Sequence, residues 1–156
     1  MNLTLLTVGR PKAGYIAQGL EDYARRLRPH GGCELAWVKS VRAAKGLAEV
    51  AIMAEEGRRL LSRLESRDVL WALDRQGAPW SSEEWARQLD QAQQSGARRL
   101  VLMIGGPLGL DPAPLARAQR RVSFGPPTLA HELAALVALE QLYRAHGILA
   151  GTPYHK

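Results

Sequence analysis

Tyr154 and His155 stand side by side near the carboxyl end of the chain, a phenol next to an imidazole. Both groups move protons at moderate pH, and both rings stack on planar partners. Arg144 and His146 lie a few residues upstream and extend the same set. Terminal segments usually fray without consequence. A phenol, an imidazole and a guanidinium together are instead suited to proton transfer and base stacking. Of the four histidines, His30 reads as a helix-end residue and His131 as a partner for a helix's first turn. His155 is the stronger candidate for chemistry.

Two loops have binding character. Residues 104–109 read Ile-Gly-Gly-Pro-Leu-Gly directly after an apolar run, and glycine there lets a ligand approach the backbone. The spacing does not match the dinucleotide G-x-G-x-x-G pattern, and no Lys-Ser/Thr follows as a phosphate loop requires. Residues 123–128 read Ser-Phe-Gly-Pro-Pro-Thr. Two successive prolines fix that chain and remove two donors, leaving carbonyls to accept from a ligand such as an adenine edge. Cations follow the apolar runs as well: Arg10 and Lys12, Arg42 and Lys45, then Arg75. No acidic residue falls between Arg10 and Lys12, or between Lys39 and Lys45, which suits an anionic partner. Lys plus Arg number 21 against 15 Asp plus Glu, a formal +6 that argues against an acidic or disordered chain. The one cysteine, Cys33, permits no internal disulfide, and no CxxC or paired His/Cys spacing marks a zinc site.

These residues need a scaffold to position them. A chain of 156 residues with 46% apolar content is expected to form a single domain, 1–156, with a core of its own. Residues 3–9, 34–41, 69–74, 99–106 and 121–124 read as strands. Ile16, Leu20, Tyr23 and Leu27 share a helical period, and a weaker helix spans 47–64. Ser81 and Glu84 are spaced as a capping box before Trp85, Leu89 and Ala92. The six residues 75–80 between strand and cap read as a loop. A short helix follows around 111–119, with Pro112 where helix starts tolerate it, and Thr128 is placed to cap a last helix running to about His146. Strands alternating with helices predict an α/β fold, an open and mostly parallel sheet with helices on both faces. Ligands in such sheets sit outside the carboxyl ends of the strands, where the glycine loops and the cations fall.

Residues 133–139 are apolar all round, whereas a surface helix normally carries only a stripe. A second copy of the chain is the simplest cover, so a homodimer is expected. No apolar run is long enough to span a bilayer. The first twelve residues lack a basic stretch ahead of their apolar run, unlike a signal peptide. The expected compartment is the cytoplasm.

Several motifs, taken in order, resemble one family. They are L-M-I-G-G-P-x-G-L at 102–110, S-F-G-x-x-T-L-x-H at 123–131, L-E-Q-L-Y-R-A at 139–145 and P-Y-H-K at 153–156. The likeness is to the bacterial 23S ribosomal RNA pseudouridine-N3 methyltransferases, small SPOUT-class enzymes that use S-adenosylmethionine. It continues through V-G-R at 8–10, E-x-Y-x-R-R-L at 21–27 and L-D-x-x-G-x-x-x-S-S-E at 73–83, and so covers essentially the whole chain. The resemblance implies a sheet of five to six strands and a trefoil knot at the carboxyl end, against the usual absence of knots. It implies an S-adenosylmethionine pocket at Leu73, Gly105, Phe124, Gly125, Pro126, Pro127, Thr128 and Leu129. Arg144, Tyr154 and His155 match the residues that the family places near the target base. The implied partners are a second copy of the chain and 23S ribosomal RNA in the ribosome, the 70S particle. Leu108, Ala130 and Ala135 depart from the glutamate, proline and arginine common at those places in relatives. The chemistry suits the residues: a sulfonium methyl is already activated, so alignment with a nucleophilic nitrogen is the main task. His155 or Tyr154 would assist loss of the N3 proton. Rival readings are another SPOUT RNA methyltransferase, a non-catalytic ribosome-binding protein and a small nucleotide-binding enzyme.

Overall fold

The chain opens on a run of Leu, Thr and Val that forms a strand, β1 (Asn2–Val8), buried at every position from Leu3 to Val8. Burial without alternation means that both faces of the strand are covered, as in a parallel sheet. In the computed structural model, which describes residues 1–12, 14–42 and 48–155 with the side chain of His155 excepted, ten elements alternate along the chain. After β1 come α1 (Gly14–Arg26), β2 (Cys33–Val38), α2 (Glu49–Leu61), β3 (Val69–Pro79) and α3 (Ser82–Gln94). Then follow β4 (Arg99–Ile104), α4 (Pro112–Arg117), β5 (Arg120–Ser123) and α5 (His131–Leu149). Single 3-10 turns stand at Arg28–His30 and Pro153–His155. Lys45, and Leu47 at the expected start of the second helix, lie outside the described residues.

The strands form one sheet in the order β2-β1-β4-β3-β5, with every neighbouring pair parallel. One face carries Leu3, Leu5, Trp71 and Leu102 against α1, α3 and α5. The other carries Leu6, Val8, Ala72 and Met103 against Leu60 of α2 and Leu115 of α4. The expected α/β sheet with helices on both faces is therefore present, with five strands. Near its carboxyl edge, one transverse row runs Trp37, Thr7, Ile104, Leu73, Val122 from β2 to β5.

Three local expectations need correction. The strand expected over 69–74 continues to Pro79 through the segment read as a loop. Its pairing with β5 slips between Leu73 and Ala78. Gly77 makes that possible, because a Cβ there would lie 2.6 Å from the Val122 nitrogen. Thr128 does not cap α5; the N-cap is Ala130, with no side-chain hydrogen bond. Finally, α5 is flanked by α1 and α3, so its own chain covers much of the apolar surface. What faces outward is a stripe at Leu133, Val137, Glu140 and Arg144, of which Leu133 is 39% exposed. The cap of α3 is as expected, with Ser81 Oγ accepting from the Glu84 N–H at 3.2 Å. Asp111 caps α4 from just before Pro112, accepting from the Ala113 N–H at 2.9 Å.

Candidate active site

The loops that leave β3, β4 and β5 enclose a cleft of about 710 Å³, within the range of small-ligand sites. The loop after β4 turns back on itself: the Gly106 carbonyl accepts from the Gly109 N–H at 2.9 Å. Gly109 has a φ of +90°, a value open mainly to glycine. Gly105 is required by the same turn, since a Cβ there would lie 2.4 Å from the Gly109 carbonyl oxygen. From behind, α2 supports the loop through Glu56, which is only 4% exposed. Its Oε1 accepts from the Val41 N–H at 2.9 Å, and its Oε2 lies 3.0 Å from where a Gly106 Cβ would stand. After β5 the chain turns at Gly125, with φ +91°.

Of the residues expected to hold a cofactor, Leu73, Gly105, Phe124, Gly125, Pro127, Thr128 and Leu129 all line this cleft. Pro126 shares the loop but is not among the lining residues. Thr128, free of any capping role, is exposed at the cleft. Leu110 and Leu115 add apolar wall beyond the residues expected to hold the cofactor. Asp74 was also missed, although a carboxylate closing a buried strand was a readable signal. It lines the cleft and accepts from Arg121 Nε at 3.0 Å.

Arg10, Lys12, Arg42 and Arg75 are all exposed, and Arg75 lines the cleft itself. The basic edge is less free of acid than its sequence neighbours indicate. Glu132 of α5 accepts from the Lys12 backbone N–H at 3.2 Å.

The proton-transfer candidates lie elsewhere. Tyr154 packs on the last turns of α5, its ring 4.8 Å from that of Tyr143 and beneath the Arg144 guanidinium. Its hydroxyl donates to Glu140 Oε1 at 3.2 Å, which leaves the Tyr23 hydroxyl, 3.3 Å away, to donate to Tyr154. Burial first, then Tyr23 and the Glu140 charge, push the Tyr154 phenol well above its ordinary value. It is therefore a proton donor at neutral pH rather than a phenolate base. Arg144 is tied to Glu140 at 2.7 Å and donates to the Tyr154 carbonyl at 3.3 Å. The backbone of His155 continues the same 3-10 turn. His146 does not join them. It is 6% exposed and stacks on His30 with ring centroids 4.6 Å apart.

A single chain thus separates its two sets of candidates. His131, at the cleft, and Arg144 stand thirteen residues apart on α5, about 20 Å at about 1.5 Å rise per residue.

A parallel α/β sheet with a cleft built by glycine-turned loops at its carboxyl edge defines a protein of the open α/β class, with the cleft where ligands of that class bind. The sequence pattern of the family described as "Predicted SPOUT methyltransferase" matches residues 1–155, and the chain belongs to that family. Full-length relatives are named ribosomal RNA large subunit methyltransferase H. Those from Limosilactobacillus fermentum and Lactiplantibacillus plantarum are 40% and 38% identical, and the one from Listeria monocytogenes is 38% identical. Each of these matches covers 100% of both chains. Among solved structures, a probable methyltransferase from Bordetella pertussis superposes with a TM-score of 0.54 at 18% identity, covering 92% of this chain and 95% of that one. A methylase family protein from Neisseria gonorrhoeae gives 0.53 at 16% identity, covering 96% and 93%. At such identities they bear on the fold. Among the described residues, no helix is long and apolar enough to cross a membrane.

Proposed function

We propose that the chain is an S-adenosylmethionine-dependent methyltransferase acting on N3 of a pseudouridine in 23S ribosomal RNA, within the ribosome and hence in the cytoplasm. The observation that carries this is the full-length identity, 40% in one case, with proteins named for methyl transfer to large-subunit ribosomal RNA. The cleft suits the cofactor. Leu73, Ile104, Leu110 and Phe124 offer apolar wall for an adenine, and the glycine loop exposes backbone groups beside it. When bound there, the cofactor supplies an electrophilic methyl group. The chain's task is then to orient the target nitrogen and manage its proton.

Arg144 is the fixed positive charge for the anion left when N3 loses its proton. Tyr154, held as a neutral phenol, donates a hydrogen bond to a base carbonyl. His155 is left as the group that accepts the proton.

These residues serve a cleft about 20 Å away along α5 if two chains pair with their α5 helices antiparallel. The carboxyl end of one α5 then lies beside the loop that opens the other. The outward Leu133 and Val137 supply apolar contact for that pairing. The carboxyl-terminal trefoil knot belongs to the same proposal.

Nucleoside mass mapping of ribosomal RNA, from cells with and without the gene, tests the reading. One N3-methylated pseudouridine should disappear with the gene and return with the wild-type copy. An unchanged modification map would overturn it.

A further inference from the structure

A second concavity opens at the far end of the carboxyl edge, between α1 and the edge strand β2. It measures about 150 Å³, with an apolar floor from Leu5, Leu20 and Leu35 and a rim of Arg10, Glu21 and Trp37. Trp37 is 42% exposed, unlike Trp71 and Trp85, which are buried in the core. The Arg10 guanidinium lies 5.0 Å from the centre of its ring. An exposed indole at the end of an edge strand contributes little to the core. A guanidinium–indole stack does offer planar surface to a further ring.

From this geometry we infer that Arg10 and Trp37 form a stacking platform for an unpaired nucleobase of the RNA substrate, next to the target nucleotide. The inference rests on the reading of the chain as an RNA methyltransferase. Position supports it. Trp37 shares the transverse row with Ile104, two strands away across β1, which is about 10 Å at about 4.8 Å per strand. Ile104 lines the cofactor cleft. A base on Trp37 therefore belongs to a nucleotide close to the one at the cleft, on the same stretch of strand. Charge supports it too. Arg10, Lys12, Lys39 and Arg42 are exposed around this end of the sheet, in a chain with a formal +6, and suit the phosphates on either side of such a base. Glu21 is the acceptor at the rim for a base N–H. Single-stranded RNA is read in this way, by splayed bases on aromatic and guanidinium planes.

Two measurements test the platform. In methyl transfer to ribosomes, Trp37→Ala should raise KM about tenfold (about 1.4 kcal/mol), within the range for one stacked base. Its kcat, melting temperature and affinity for S-adenosylhomocysteine should hold, and Trp37→Phe should stay within about threefold of wild type in KM. An unchanged KM in Trp37→Ala overturns the platform and leaves methyl transfer standing. The second measurement is independent of catalysis: tryptophan fluorescence titrated with a short single-stranded RNA. Quenching should saturate in the wild type, be largely absent in Trp37→Phe, and be absent with an abasic oligomer of equal length. Equal quenching by the abasic oligomer, or in Trp37→Phe, overturns stacking. Trp37-dependent quenching in a protein that transfers no methyl group to RNA supports the platform and overturns the catalytic reading.

Discussion

If two antiparallel chains build each site, two differently damaged chains should repair one another. The first damaged chain carries Tyr154→Phe with His155→Ala. Its phenyl ring keeps the contact with Tyr143 at 4.8 Å and the place beneath Arg144, while the hydroxyl bonds to Glu140 and Tyr23 are lost. Losing part-buried hydroxyl bonds should cost about 1–2 kcal/mol, a fall of about 5 °C in Tm. Methyl transfer should fall about a hundredfold or more, as for a lost proton-transfer group. The second chain carries Thr128→Trp. Thr128 is exposed, lines the cleft and caps nothing, so an indole there should obstruct the cofactor without disturbing the core. Gly105→Val is unsuitable, because its Cβ would strike the Gly109 carbonyl and destroy the loop itself. After denaturation and joint refolding at equal amounts, about half of the dimers are mixed. Each mixed dimer has one sound cleft facing one sound carboxyl end, so the mixture should reach about a quarter of wild-type activity for a symmetric pair. Tritium transfer from labelled S-adenosylmethionine to ribosomes measures it, with two affinity tags to count mixed dimers. If mixed dimers form and activity stays at the level of the separate variants, cleft and carboxyl end work within one chain and the composite site is wrong.

Tyr154, His146 and Gly77 each give a further outcome. Burial, then Tyr23 and Glu140, raise the Tyr154 phenol, so its contribution to stability is full below the ordinary tyrosine value of about 10 and is lost as pH rises from there through the folded value; ultraviolet titration should show late ionisation of Tyr154, brought earlier by Glu140→Gln. Burial, then His30 and the amino terminus, lower His146 from 6.5 to about 4, so its contribution is full above pH 6.5 and is lost as pH falls towards 4. That loss is about 3 kcal/mol, and denaturant melts of His146→Phe should be flatter over this window than those of wild type. Gly77→Ala should force β3 away from Arg121 and Val122, at about 3 kcal/mol or a Tm fall of about 10 °C by calorimetry, and a wild-type Tm would deny the close approach of the two strands.

The sheet was legible because parallel strands buried on both faces read as unbroken apolar runs, and the cleft because glycine loops close two of them. The errors have physical causes. The residues 75–80 carry Gly77 and Pro79, which ordinarily mark a loop, yet here the glycine admits a neighbouring backbone. Thr128 precedes an apolar run as an N-cap would, but α5 begins three residues later at His131, behind Ala130. His146 has the chemistry of a catalytic group, and only packing reveals that it faces His30 rather than the carboxyl-terminal cluster. Gly105 does line the cleft, but what its missing side chain makes room for is the Gly109 carbonyl, a contact that sequence spacing does not reveal. Sequence spacing also hides contacts between distant segments, such as Glu132 at Lys12 and Glu56 at Val41.

The length of α5 carries the largest consequence. Nineteen residues hold the cleft loop at one end and Arg144 towards the other, and a straight helix cannot fold those ends together. A one-chain enzyme on this frame would have to move the proton with Asp74 or His131, the titratable groups at the cleft besides Arg75, and Asp74 is already paired with Arg121. A symmetric pair needs no bending, because an isologous antiparallel contact sets each end against the opposite end of its partner. The charges on the outward stripe fit such a contact. Glu140 and Arg144 are already joined within one chain at 2.7 Å, so covering them buries a neutral pair rather than two isolated ions. That pair also holds the Arg144 guanidinium over the Tyr154 ring, where it donates to the Tyr154 carbonyl. Breaking it by Glu140→Gln should therefore loosen the guanidinium and lower kcat while leaving cofactor affinity in place. An enzyme whose kcat ignores that change would mean that Arg144 acts without being held.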